Sequence, residues 1–330
     1  MTGTTLKEIS KALGLSISTV SRALKNHPDI SEKTKQKVAE LAHTLDYEPN
    51  ANAISLRTRN NRLFGVIVPS ISNFFYDSFI SAVEEDSRLH NYNIMILQSG
   101  ENPLIEEENL KLCRQNRVSG VFACITSQTK DITPFVKLKE QKVPLIFFDK
   151  VPPFEGYNKV CIADAESATL ATNALIQSGR KSIIALFGNE NLSITNKRVN
   201  AFKEAIQNVE RRINYQVVFC NTTSDAYTLT TDLLNNLPKA DGIFCMSDEI
   251  LCGAMKAVQQ KNKSIPKDIA VIALSNGFFP GLYFPEITYV ETSGYKLGKA
   301  AFARMLECLE DNFETKELTI NTTLVKGQSV

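Results

Sequence analysis

The side chains best suited to reading another molecule lie near the start of the chain, in Ser16-Ile17-Ser18-Thr19-Val20-Ser21-Arg22. Ile17, Ser18, Ser21 and Arg22 fall on one face of a helical pattern: short hydrogen-bonding groups plus one cation. Val20, Ala23 and Leu24 fall on the other. A face of that kind can meet base edges in a major groove. The same pattern also fits a plain amphipathic hairpin with no nucleic-acid role.

Residues for bond-making chemistry are sparse. The three histidines, His27, His43 and His90, are far apart, and His90 reads as a helix-end surface residue. The seven cysteines (Cys113, Cys124, Cys161, Cys220, Cys245, Cys252, Cys308) form no C-x-x-C pair, and most sit in apolar runs, as buried thiols do. Gly179-Arg180-Lys181-Ser182 resembles the tail of a phosphate-binding loop but lacks its upstream glycine. No G-x-G-x-x-G follows a strand, and neither H-E-x-x-H nor G-x-S-x-G occurs. The sequons at Asn191, Asn221 and Asn321 carry no weight in the cytosol. The expectation is a protein that is not an enzyme and needs no metal or cofactor.

The elements that must position the recognition face are short. Thr5 and Glu8 stand in capping-box spacing before Leu6, Ile9 and Leu13, which predicts a helix ending at Gly14. Ser16 caps a second helix, and Ser31 a third that runs to about Tyr47 with Lys33, Lys35 and Lys37 near its start. Pro49 to Arg57 is too short and polar to hold a helix alone in water, and reads as a linker that folds when given a surface.

Composition supports a polyanion partner at this end. Residues 1–62 hold ten Lys and Arg against six Asp and Glu, while the remainder holds 27 against 30. With 43% hydrophobic and 22% charged residues, the chain has the profile of a soluble globular protein. No run approaches the roughly 18 apolar residues of a membrane span, and no signal peptide is visible, so a cytoplasmic protein without membrane association is expected.

From Leu63 onward, nine short apolar runs alternate with helical patterns: 63–68, 93–97, 120–125, 144–148, 159–162, 182–187, 216–220, 242–245 and 269–274. That texture predicts parallel sheets covered on both faces, in two doubly wound subdomains that break near Asp164. A helix from Ser293 to about Leu309 and one strand near 318–325 close the chain. They can return to the first subdomain, and two facing lobes make a cleft beyond the strands' carboxyl ends.

These pieces together resemble the LacI/GalR family of bacterial transcriptional regulators along essentially the whole chain. The resemblance rests on Thr5-Leu6-Lys7-Glu8-Ile9-Ser10, Ser18-Thr19-Val20-Ser21-Arg22-Ala23-Leu24, Tyr47-Glu48-Pro49-Asn50 and Ser55-Leu56-Arg57. It continues in Gly65-Val66-Ile67-Val68-Pro69 with Ile71-Ser72-Asn73-Phe74-Phe75, Gly179-Arg180-Lys181-Ser182-Ile183, and Ser247-Asp248-Glu249 with Gly253-Ala254. The last matches are Ile265-Pro266-Lys267-Asp268-Ile269-Ala270-Val271-Ile272 and Leu324-Val325-Lys326-Gly327. It implies an all-α helix-turn-helix head at 1–48, a hinge helix and linker at 49–62, and a periplasmic-binding-protein-like α/β body at 63–330. Lobe one would take about 63–162 plus 293–320, and lobe two about 163–290 plus 321–330.

The resemblance also implies roles. Ile17, Ser18 and Arg22 would face base edges. Thr5, Ser16, Thr19, Ser21 and Thr34 would bond phosphates, with Leu6 and Asn26 also at the DNA. Leu56 would be a minor-groove wedge, beside Asn50, Ala53 and Arg57. A small-molecule effector would meet Ser70, Asn73, Phe74, Phe75, Asp149, Arg198, Ser247, Asp248 and Ser275. One departure stands out: sugar-binding members usually carry an aspartate where this chain has Ser275. The loss of that acceptor puts a plainly bound hexose in doubt and favours an acidic or phosphorylated sugar, or another metabolite.

The expected function is a dimeric repressor of a carbohydrate-use operon, bound to a pseudo-palindromic operator and modulated by a sugar or sugar derivative. The chain shows no heptad tail after Gln328, which favours a homodimer over a tetramer. A nucleobase-responsive regulator, a cytosolic solute-binding protein and an enzyme on a doubly wound fold are the alternatives.

Overall fold

The computed structural model describes residues 4–47, 61–310 and 314–330. The proposed hinge residues Asn50, Ala53, Leu56 and Arg57 lie outside them. The chain divides into two compact units, Met1–Asn61 and Arg62–Val330.

In the first unit, α1 (Leu6–Leu13), α2 (Ile17–Leu24) and α3 (Glu32–Thr44) enclose Ile9, Val20, Ala23, Val38 and Ala42. Each helix starts where a hydroxyl can replace its missing backbone partner. Thr5 forms a capping box with Glu8, Ser16 accepts from Thr19 N, and Ser31 accepts from Thr34 N. Gly14 ends α1 at φ +63°, a left-handed conformation that costs a glycine nothing.

The second unit runs β1 (Leu63–Val68), α4 (Phe74–Leu89), β2 (Asn93–Gln98), α5 (Pro103–Gln115), β3 (Gly120–Ala123), α6 (Thr133–Glu140), β4 (Leu145–Phe148) and β5 (Asn158–Ile162). It continues with α7 (Asp164–Gln177), β6 (Ser182–Phe187), α8 (Ser193–Gln207), β7 (Asn214–Phe219), α9 (Thr223–Asn236), β8 (Gly242–Cys245), α10 (Asp248–Gln260) and β9 (Ala270–Ser275). The chain closes with β10 (Thr288–Glu291), α11 (Gly294–Leu309), β11 (Glu317–Ile320) and β12 (Thr323–Val325). Two six-stranded sheets result, in the orders β11-β5-β4-β3-β1-β2 and β12-β10-β9-β8-β6-β7. Central strands such as β3, β4, β8 and β9 are buried on both faces, which is why they read as unbroken apolar runs.

The C-terminal end departs from expectation. In place of one strand near 318–325, β11 lies parallel to β5 in the first sheet, and β12 pairs antiparallel with β10 in the second. β10 itself went unpredicted because Thr288-Tyr289-Val290-Glu291 alternates buried and half-buried positions and is not apolar throughout. The chain thus crosses between the sheets three times: after β5, after β10 and after β11. All seven cysteines are free thiols, five of them buried. No helix among the described residues is long and apolar enough to cross a membrane.

Helix α11 packs closely on α4. A Cβ at Gly298 would lie 2.7 Å from the carbonyl oxygen of Phe79 and 2.8 Å from the Cβ of Ala82. Gly298→Ala should therefore lower the unfolding free energy by about 1–3 kcal/mol, despite alanine's better helix propensity. The urea midpoint measures this; an unchanged or raised midpoint would show that the two helices have room to part.

Candidate functional site

Two surfaces carry the candidate chemistry. On the first unit, Ile17 is 48% exposed, and Ser18 and Arg22 are exposed beside it, so the outer face of α2 is open as a recognition face must be. An exposed isoleucine there is suited to a thymine methyl. Thr5, Ser16 and Asn26 are exposed; Thr19, Ser21 and Thr34 are half-buried. The Ser16 hydroxyl lies 2.8 Å from both the Ser18 and Thr19 hydroxyls, which pre-orders the start of α2. Leu6 is half-buried against the head core, so packing is its first role. Arg22 faces Asp29 at 3.7 Å in an exposed pair.

The second surface is a cavity of about 530 Å³ between the two sheets. It is lined from the carboxyl ends of the strands: Ser70 and Asn73 after β1, Asp149 and Lys150 after β4, Ser247 and Asp248 after β8, Asn276 after β9. Each sheet reverses its strand order there, between β1 and β3 and between β6 and β8, and helices diverging from such a point leave a crevice.

Eight of the nine expected effector residues line this cavity: Ser70, Asn73, Phe75, Asp149, Arg198, Ser247, Asp248 and Ser275. Phe74 is the correction. Its ring packs against Phe278 and Phe279, at centroid distances of 6.2 and 4.6 Å, and does not face the cavity. Helix phase turns Phe74 away: with about 100° between successive positions of α4, Phe75 and Tyr76 point to the cavity while Phe74 lies to the side of the lobe contact.

Most of these polar groups already have partners. Arg198 is bidentate to Asp164 Oδ1, with Nη2 at 2.7 Å and Nε at 2.9 Å, and Nη1 donates to Met246 O. Both side chains of the pair are buried. Three of its five N–H groups are thus committed, and two remain for a ligand. Tyr76 donates to Asp149 at 2.8 Å, and burial together with the Asp149 charge pushes the tyrosine pKa far up, so it stays a donor. Ser247 caps α10. Asn73 caps α4 through Oδ1 while its Nδ2 donates to Glu249 at 2.7 Å, joining the two lobes.

Ser275 does not leave the cavity without a carboxylate. Its hydroxyl donates to Asp248 Oδ1 at 2.5 Å, and Asn276 N donates to Oδ2 at 3.0 Å. Ser275 thus turns its hydroxyl onto Asp248, the carboxylate that remains on this part of the wall. The expectation of an acidic or phosphorylated sugar therefore meets a wall that also holds Glu101, Asp149 and Glu249.

Glu101, Ser127, Lys150, Glu249 and Asn276 were not anticipated. Burial would raise the Glu101 pKa, but the Lys150 charge and hydrogen bonds from Lys150 and Ser127 outweigh it and hold the carboxyl below its usual range. All five follow or approach strand ends, which was the available signal. What hid Glu101 is its left-handed backbone, φ +58°, which sequence does not announce in a glutamate. Among the described residues, no three His, Cys, Asp or Glu side chains converge as a metal ion requires.

Two expectations follow. Arg198→Met strands Asp164 without its cation and should cost about 3–5 kcal/mol of unfolding free energy; adding Asp164→Asn should recover part of it. A denaturation double-mutant cycle that returned simple additivity would show that the two do not couple. The second concerns Asp248. Burial raises its pKa, against the Ser275 and Asn276 hydrogen bonds. A raised carboxyl pKa gives stability that is present at low pH and lost as pH rises through the folded-state value. Asp248→Asn should therefore raise the melting midpoint at neutral pH relative to the parent, with the gain vanishing toward pH 4; a gain that grew in acid would contradict this.

Known proteins share this architecture. The model of the bacterial regulatory proteins of the lacI family matches residues 5–50. The model of periplasmic binding proteins and the sugar-binding domain of the LacI family matches residues 61–328. The regulator RegA of Clostridium saccharobutylicum is 29% identical over 313 residues, covering 93% of this chain and 92% of that protein. The ribose operon repressor of Halalkalibacterium halodurans is 28% identical, covering 98% and 96%. The fold is that of the lac repressor dimer bound to operator and an anti-inducer, with a TM-score of 0.88 at 20% identity over 99% of both chains. With one family model over its head and another over its body, the chain belongs to the LacI family and is a DNA-binding transcriptional regulator of the repressor type.

Proposed function

We propose that this protein is a cytoplasmic homodimeric repressor of a carbohydrate-use operon, whose operator affinity is set by a hydroxyl-rich sugar held between the lobes. The observation that carries the reading is one cavity, lined from the switch points of both sheets, in a chain whose head exposes Ile17, Ser18 and Arg22. Sugar hydroxyls need many acceptors and a few forked donors. Asp149, Asp248 and Glu249 supply the first, and Arg198 and Asn73 the second. A nucleobase fits less well: Phe75 and Tyr76 stand at 80° to each other, so they do not offer a flat base two parallel faces.

At the operator, Arg22 would take a guanine edge, Ile17 a thymine methyl and Ser18 a base or phosphate oxygen. Thr5, Ser16, Thr19, Ser21, Asn26 and Thr34 would hold phosphates and fix register, with Leu6 alongside. Two-fold symmetry would demand a pseudo-palindrome. Paired Leu56 side chains would wedge its centre, with Asn50, Ala53 and Arg57 beside them. Effector would shift the lobes' relative orientation and change operator affinity by a coupling typically about 1–3 kcal/mol.

Fluorescence anisotropy on DNA from the gene's own upstream region tests this. Arg22→Ala should cost about 1–3 kcal/mol on the best site while nonspecific binding stays largely intact. Leu56→Ala should lose most specific affinity and keep salt-sensitive nonspecific binding. Equal affinity of either variant and parent on that site would refute the role given to the residue.

A further inference from the structure

The cavity wall carries an unbalanced charge, and that charge constrains what fills it. Among the described residues, two cations line the cavity, Lys150 and Arg198. Each is already neutralised: Lys150 by Glu101, and Arg198 by Asp164, whose side chain is 3% exposed. Three further carboxylates line the same space, and each is held by neutral donors. Asp149 accepts from the Tyr76 hydroxyl, Asp248 from the Ser275 hydroxyl and Asn276 N, and Glu249 from Asn73 Nδ2. Among the ion pairs of the described residues, none involves any of these three.

Like charges gathered in a crevice with low-dielectric walls repel one another and draw a counter-charge more strongly than they would in open water. Asp248 already feels this, since its burial and the neighbouring Glu249 both raise its pKa. Among the described residues no three of these donors converge on one point, so a counter-charge here meets acceptors spread along the wall. It must be spread over a larger body that also bonds the neutral donors around it, and a cavity of about 530 Å³ has room for one.

We propose that the effector is an amino sugar with a protonated amine. This rests on the sugar-responsive reading above and narrows it. The ammonium faces Asp248 and Glu249 at the start of α10, and the hydroxyls face Asp149 and the two uncommitted N–H groups of Arg198. Uronates and sugar phosphates are rejected, because they bring a further anion to a wall that, among the described residues, has no unpaired cation for it.

Isothermal titration of the full chain tests the charge directly, with glucosamine, galactosamine and mannosamine, their N-acetyl forms, the parent hexoses and glucose 6-phosphate. The expected result is a hexosamine that binds at least tenfold tighter than its parent hexose and its N-acetyl form. That advantage should shrink several-fold in Glu249→Gln, and again when the pH is raised above the amine's pKa. Glu249 is partly exposed and caps nothing, so this variant should fold, and its melting midpoint checks that it does. A neutral hexose or an N-acetyl sugar binding as tightly as the amine overturns the charge inference and leaves the sugar reading standing. Best binding by glucose 6-phosphate does the same. No saturable binding of any of these sugars, with operator affinity unchanged by each, overturns both.

Discussion

A guanidinium in a protein interior keeps its charge and must therefore be paired, and the bond from Arg198 to Asp164 meets that demand at a structural seam. Asp164 is the first residue of α7, just where the chain first leaves one sheet for the other. Arg198 comes from α8, and its third bond goes to Met246 O, immediately after β8. One cation thus ties together the first crossing, a helix and a strand end. The free amide groups at the start of α7 also favour a carboxylate at Asp164. The geometry of the second lobe's share of the cavity wall depends on this pair, because breaking it leaves a buried carboxylate without its hydrogen-bonded cation. The same pair removes Arg198 from the charge balance of the cavity. An arginine in a binding cleft ordinarily suggests an anionic ligand; one already neutralised by a buried carboxylate carries that suggestion far less.

The cavity is also closed by bonds between lobes that any ligand must respect. Asn73 bonds Glu249 across it, and Asn276 donates to Phe74 O at 3.3 Å while accepting from Gly294 N. Phe74, Phe278 and Phe279 pack beside these bonds. The aromatic cluster gives lobe closure a ligand-independent contribution, whereas the Asn73–Glu249 bond uses an acceptor that a ligand would also seek. A ligand that takes over Glu249 exchanges one closure contact for another, so occupancy retunes the lobe geometry and does not simply add to it. A cleft poised in this way suits a regulator, which needs two arrangements of similar free energy.

Much of the fold was legible in sequence, for a physical reason. Capping hydroxyls at Thr5, Ser16 and Ser31 and fully apolar strands are local signals, and the structure uses them as written. The failures share a cause as well. β10, β11 and β12 are three or four residues long and lie toward or at one end of their sheets, where exposure breaks the apolar run, so their pairing comes from tertiary context. In the cavity, residue types and loop positions were readable, since strand ends in doubly wound sheets are where ligands gather. Pairing was not. Nothing local couples Arg198 to Asp164 or Glu101 to Lys150, 34 and 49 positions apart, and pairing decides the net charge of the wall. Sequence could show which charges were present but not which of them cancel. Phe74 and Phe75 pose the same problem at smaller scale, because the packing of Phe74 on Phe278 and Phe279, which sequence does not show, decides which ring goes to the lobe contact and which to the cavity.

The head presents the converse case, a charge pair that settles little. Arg22 and Asp29 lie 3.7 Å apart with side chains 59% and 64% exposed. Exposed pairs of this kind contribute about 0–1 kcal/mol, while a bidentate contact to guanine contributes about 1–3 kcal/mol of discrimination. Arg22 could therefore leave Asp29 for a base edge at small cost. Asp29 would then act against the wrong site more than for the right one, since without a guanine the arginine returns to its carboxylate. The two arginines illustrate one rule. Burial makes the Arg198–Asp164 pair a fixed part of the wall, and exposure makes the Arg22–Asp29 pair exchangeable. In this protein the fixed pair shapes the pocket proposed to receive the signal, and the exchangeable one lies on the face proposed to read DNA.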